Sequence, residues 1–184
     1  MISPLRSCRS QMPQRSQSGA AVVEFALIAV FAFLPLMLGI VEFGRLFYIA
    51  NTVQEVTRRA ARAQVVNWTS QSSSVQRYAV FRNGNGALAG APEVTNATVS
   101  LGFYHSYANA VSGSNPIAGV ASAQDNQTNC LLASPSCILF VRATLANGGA
   151  PIAYTPMIGW FGDLFSLPLP GATVIMPAEA LGLL

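Results

Sequence analysis

Glu24 is the side chain whose position most constrains the chemistry of this chain. It stands at the entrance of an apolar run that continues uncharged from Phe25 to Val41, five residues after Gly19. A carboxylate at the end of a membrane-length segment is costly to leave unpaired, so an ionisable residue there reads as functional. The chemistry open to it is charge pairing in an apolar medium. Catalysis has no comparable support. The sequence holds no Ser-His-Asp set around a nucleophile motif, no phosphate-binding glycine loop and no metal-ligand spacing. Its single histidine, His105, lies in Phe103-Tyr104-His105-Ser106-Tyr107 and reads as a strand-end or surface residue. No enzymatic activity, cofactor or metal site is expected.

Cys130 and Cys137 are separated by six residues in a polar stretch. In an oxidising compartment a disulfide closes that short loop; the alternative is two unpaired thiols. Cys8 has no apolar run before it and stays reduced if the leader is cytoplasmic. One histidine and two thiols do not complete a four-ligand zinc site.

The composition separates two regions. Of 184 residues, 52% are hydrophobic and 9% charged, against about 25% charged in ordinary soluble domains. Residues 1–63 carry seven arginines and three glutamates; residues 64–184 carry Arg77, Arg82 and Arg142 against Glu93, Asp125, Asp163 and Glu179. The basic balance thus belongs to the N-terminal part, and the C-terminal region offers no basic patch of the kind nucleic acid requires.

These residues need elements to hold them. Phe25–Val41 is 17 residues without a charge, and counting from Ala20 gives 22 with Glu24 alone. At ~1.5 Å per residue this crosses a hydrocarbon core of about 30 Å. A secretory signal peptide is the rival, but the run is longer than its usual apolar region of about 7–15 residues and ends in Glu42-Phe43-Gly44-Arg45. Pro35 sits inside the span and removes one backbone hydrogen bond. Arg6, Arg9 and Arg15 place the N-terminus in the cytoplasm. Arg45, Arg58, Arg59 and Arg62 follow the span, so the large charge-poor C-terminal region decides for an extracytoplasmic C-terminus. Glu42 and Arg45 mark the membrane exit.

Beyond it, Leu46, Ile49, Val53, Val56, Ala60 and Ala63 recur at helical spacing, and no Pro or Gly interrupts residues 45–66. This seam packs either on the chain's own C-terminal domain or on neighbouring subunits. Residues 68–74 read as a polar linker, and residues 83–92 and 109–129 as loops. Val94–Phe103, Cys137–Leu145, Ile152–Tyr154 and Ala172–Met176 read as strands, and Met157–Leu169 as an interrupted apolar segment. The expected fold is α+β: a long N-terminal membrane-spanning helix whose amphipathic extension packs on a small antiparallel sheet. The boundaries are a basic leader at 1–19, a transmembrane helix at 20–43, a helical stem at 44–66 and an extracytoplasmic α+β domain at 67–184.

Gly19 with Glu24 as the fifth residue after it, followed by an apolar helix, resembles the processing motif of type IV prepilins. The longer string Gly19-Ala20-Ala21-Val22-Val23-Glu24-Phe25-Ala26-Leu27, with Glu42-Phe43-Gly44-Arg45 at the far end of the span, is similar to the TadE family of minor pilin-like proteins of the tight-adherence (Tad/Flp) pilus. The resemblance implies cleavage between Gly19 and Ala20 by a prepilin peptidase, residence in a bacterial inner membrane, and contact with other Tad pilins, the assembly platform and the lipid bilayer. It also implies that Glu24 pairs with the new N-terminal amine of a neighbouring subunit. Phe25 stands where major Flp pilins have Tyr, and the C-terminal region is far larger than theirs, which points to a minor pseudopilin used in surface adhesion. The other reading is an unprocessed, signal-anchored extracytoplasmic binding or adhesion protein.

Overall fold

The computed structural model describes residues 18–157, 159, 167–179 and 181–182. Arg6, Cys8, Arg9 and Arg15 of the leader, and most of the apolar segment Met157–Leu169, lie outside them. The chain divides into two compact units, Met1–Ile40 and Val41–Leu184.

The described part of the first unit is helical. Helix α1 (Ser18–Ile28) runs into a π-helical turn (Ala29–Phe33), and helix α2 (Leu34–Val66) follows. Pro35 has no N–H to offer the carbonyl of Phe31, which disturbs the α ladder at this point. The turn is widened instead, and the Leu34 N–H donates to the carbonyl of Ala29. The helix from Gly19 is long and apolar enough to cross a membrane, and its apolar window is unburied among the described residues. Val22, Phe25, Phe31 and Leu36 are all more than 60% exposed. Such a surface needs lipid or other helices around it.

In the second unit, α2 turns amphipathic. Ile49, Val53, Val56, Thr57, Ala60, Ala61 and Gln64 are buried. The stripe is wider than the seam read from the sequence: Thr57, Ala61 and Gln64 join it, while Ala63 is only half-buried. The Thr57 hydroxyl donates to the carbonyl of Val53, which removes its polarity from the core. Gln64 serves the helix end, its Nε2 donating to the carbonyls of Asn67 and Trp68. The Asn67 amide bonds the carbonyl of Ala63 and closes the last turn.

The stripe packs on an antiparallel sheet of order β3-β4-β7, made of β3 (Val99–Tyr104), β4 (Phe140–Leu145) and β7 (Ala172–Pro177). Period-two alternation in β4 buries Val141, Ala143 and Leu145. Ala143 and Leu145 share one core with Val99, Ile49, Val53, Val56 and Ala60. The seam is therefore buried within its own chain. The α+β class with a small antiparallel sheet against the C-terminal part of the long helix is as expected.

Several segments read as loops are ordered elements. The linker at 68–74 holds a 3-10 turn (Thr69–Gln71) and the start of helix α3 (Ser72–Ala79), whose Val75 and Ala79 are buried. Burial of two apolar side chains outweighs the weak helix propensity of its serines. The stretch 83–92 includes β1 (Ala87–Leu88) and the start of β2 (Ala91–Thr95), a short hairpin turning through Gly90 at φ 76°. Val94–Phe103 is not one strand: a 3-10 turn (Asn96–Thr98), closed by reciprocal Thr95 and Thr98 hydrogen bonds, separates β2 from β3. The stretch 109–129 contains most of α4 (Tyr107–Ser112) and α5 (Ala123–Leu131), each N-capped by a serine, Ser106 and Ser122. The strand expected from Cys137 begins only at Phe140. Before it, the N–H of Ile138 donates to the side chain of Asn126. Finally, β5 (Ala153–Tyr154) pairs with β6 (Leu167–Pro168).

Candidate functional site

The residues singled out by sequence fall into three places. Gly19, Ala20 and Glu24 lie in α1, exposed, in the first unit. A Cβ at Gly19 would meet nothing within 4 Å among the described residues, so their packing does not call for glycine there. Among the described residues Glu24 has no ion-pair partner, the only such contacts being those of Arg45.

The second place is the disulfide. Cys130 at the end of α5 and Cys137 before β4 are bonded, with Cα atoms 4.7 Å apart. The Asn126 side chain lies one turn earlier on α5 and hydrogen-bonds both the N–H and the carbonyl of Ile138. The crosslink and this amide together fasten α5 to the entrance of the central strand. His105 sits at the end of β3, its Nδ1 3.0 Å from the carbonyl oxygen of Cys137. Among the described residues no group of His, Cys, Asp and Glu could hold a metal ion.

The third place gathers Glu42 and Arg45 with partners far along the chain. They lie one turn apart on α2, with Arg45 Nη1 3.6 Å from Glu42 Oε1. Arg45 Nη2 donates to Glu93 Oε1 of β2 at 2.6 Å, Nη1 to the carbonyl of Thr155 at 2.8 Å, and Nε to the carbonyl of Gly90 at 3.2 Å. The guanidinium also lies 5.1 Å from the ring centre of Tyr154. Glu42 Oε1 accepts from the Tyr154 hydroxyl and from the N–H of Met157. Glu93 Oε1 accepts a second and third bond, from the hydroxyl and N–H of Thr155. One planar fork thus ties α2, the β1–β2 hairpin and the segment after β5 together.

Burial makes these bonds count. The side chains of Arg45, Glu42 and Glu93 are 10%, 12% and 6% exposed, and Tyr154 is 2% exposed. Burial alone pushes the Glu93 carboxyl up, but the hydrogen bonds it accepts and the charge of Arg45 outweigh this and hold it below its ordinary value. Tyr154 goes the other way: burial, then its bond to the Glu42 carboxylate and that negative charge, push its phenol up to about 12. At neutral pH Glu93 is therefore a carboxylate against the Arg45 guanidinium, and Tyr154 a neutral donor to Glu42. The set contains no nucleophile with an adjacent base, so what it can do is hold three segments in register.

Sequence reading found Glu42 and Arg45 but missed Glu93, Tyr154 and Thr155. Glu93 falls between a stretch read as a loop and one read as a strand, so no local pattern pointed to it.

No curated protein and no solved structure matches the chain. Residues 19–62 do match a family model, described as TadE-like protein. That match spans Gly19, Glu24, Glu42 and Arg45 and stops short of the sheet, so this stretch of the N-terminal helix is similar to that family.

Proposed function

We propose that this protein is associated with a Tad pilus and serves it as a minor pilin-like subunit, anchored in the bacterial inner membrane with its C-terminal domain outside. The observation that carries this reading is a stretch similar to the TadE family whose apolar helix is exposed and whose one carboxylate, Glu24, has no ion-pair partner among the described residues. A prepilin peptidase cuts between Gly19 and Ala20, at a glycine that packing among the described residues does not require. Cleavage creates an N-terminal amine, and Glu24 pairs with that amine on a neighbouring subunit. An unpaired charge in an apolar bundle costs several kcal/mol, so the pairing fixes axial register. The uncovered helix takes lipid before assembly and subunit helices after it. The domain of residues 67–184 faces the surface to which the cells adhere.

The mass of the membrane-extracted protein tests the first step. An N-terminus at Ala20 is expected; one at Met1 in cells with an active peptidase removes the pilin reading and leaves a signal-anchored extracytoplasmic protein. Glu24→Ala tests the second step. Cleavage should persist while co-purification with other pilins is lost, and unchanged co-purification refutes the pairing.

A further inference from the structure

Between residues 55 and 82 the sequence holds five arginines, Arg58, Arg59, Arg62, Arg77 and Arg82, and one acid, Glu55. The C-terminal part of α2, helix α3 and the turn that follows it carry them. A cleft of about 650 Å³ opens there, lined among others by Glu55, Arg59, Arg62, Asn67, Ser74 and Tyr78. Arg59 is held in one geometry. Its Nε donates to the carbonyl of Tyr78 at 3.1 Å, and its guanidinium lies 3.9 Å from the ring centre of Tyr78 and 4.2 Å from that of Phe81. It has no carboxylate within ion-pair distance among the described residues. The outward N–H groups of a fixed, uncompensated guanidinium are preorganised for an anion.

Phe81 sharpens the argument. It follows α3 with φ 58°, the left-handed conformation that closes a helix end. The N–H of Phe81 bonds the carbonyl of Tyr78 and that of Arg82 bonds the carbonyl of Arg77, the double closure in which glycine is the usual residue. An aromatic side chain is sterically strained there. Nor does it fill the core, since Phe81 is 54% and Tyr78 52% exposed. What the phenyl ring does is stack on Arg59. Strain kept at an exposed position, in the service of a neighbouring charge, marks a functional surface.

We propose that this cleft binds a carboxylate-rich polypeptide segment of another protein, with Arg59 and Arg62 taking the carboxylates and Tyr78 and Phe81 the adjoining apolar surface. Arginine and exposed aromatics together are the composition of protein–protein anchor sites, and the charge balance selects an acidic partner. A concave cleft of this size accepts side chains rather than a flat lipid surface. The inference does not depend on processing at Gly19.

The test uses full-length protein in neutral detergent micelles and a fluorescent octaglutamate peptide, read by anisotropy. Binding should weaken about tenfold in Arg59→Gln and severalfold in Phe81→Gly, and remain unchanged in Arg142→Gln, whose arginine lies outside the patch. Phe81→Gly should melt no lower than the parent protein, because glycine suits the left-handed position. Equal binding of octaglutamine, or full binding by Phe81→Gly, overturns the proposal. So does capture of phosphatidylglycerol vesicles with the same dependence on Arg59 while octaglutamate is ignored.

Discussion

Arg45→Met is the sharpest test of the polar cluster. Arg45 is 10% exposed and makes three hydrogen bonds, one of them to a carboxylate that is itself 6% exposed. Methionine has nearly the same reach, so the change removes charge and donors with little loss of packing. Glu93 is then left buried without its cation, and its second oxygen, Oε2, already lacks a hydrogen-bond partner among the described residues. Breaking a buried pair from one side costs about 3–5 kcal/mol. For a unit of this size ~1 kcal/mol lowers Tm by roughly 3 °C, so a fall of about 10–15 °C is expected. Near-UV circular dichroism of the full-length protein in micelles measures it. One further variant and a change of pH separate charge from packing. Glu93→Gln in the Arg45→Met background should recover a large part of the loss, since the stranded charge is gone. Acid should narrow the gap in the same way. The Glu93 carboxyl is held below its ordinary value in the fold, so its stabilisation is present above about pH 4.5 and disappears as pH falls through the depressed value. A loss under ~1 kcal/mol for Arg45→Met, or no recovery in the double variant, refutes the claim that this ion pair is desolvated.

Three other perturbations reach different parts of the second unit. Tyr154→Phe deletes the donor to Glu42 and should cost about 1–3 kcal/mol in urea unfolding at neutral pH. The phenol is raised from 10.0 to about 12, so the native protein should lose stability as pH rises through that interval, a loss the Phe variant lacks. Replacing Cys130 and Cys137 together by serine should cost ~2 kcal/mol, the loop between them being short; quantitative labelling of both thiols in unreduced protein would show that no crosslink forms. Ile49→Ala should cost about 2–5 kcal/mol, Ile49 being wholly buried, whereas Val66→Ala at a 45% exposed site should change the melting temperature little; equal effects would mean that α2 does not pack on the sheet.

The long helix was legible because its two signals are strong. An uncharged run of 17 residues and an apolar seam at helical spacing each exceed what chance supplies. The strands of the main sheet were legible where alternation survives, as in Phe140–Leu145. What could not be read is the set of short helices among polar residues. Helix α4 has six residues and α5 nine, too few for a periodic pattern, and both exist because a serine caps the start and the tertiary fold covers one face. The Asn126 side chain shows the point. On sequence it belongs to a polar loop, yet it is 8% exposed and pairs with the backbone entering β4. No local pattern encodes a partner twelve residues away.

The same limit shaped the reading of Glu42 and Arg45. Their spacing of three on a helix predicts a neighbouring ion pair, and charges at the end of an apolar span read as an interfacial flank. Both statements are local. The stronger contacts are to residues 45 to 115 positions away: Gly90, Glu93, Tyr154, Thr155 and Met157. An arginine with two carboxylates, a phenol and two backbone carbonyls in reach is over-determined in its position, as a surface flank is not. The TadE-like match ends at residue 62 and therefore includes two of the cluster's side chains but none of their distant partners. If the distant residues were incidental, Glu93→Gln alone would leave Arg45 as stable as before, with a solvated Glu42 to answer it. The burial of all three charges argues otherwise. Glu93→Gln leaves a cation that is 10% exposed with only Glu42, 3.6 Å away, to answer it among the described residues, and should destabilise the helix–hairpin contact, though by less than Arg45→Met does.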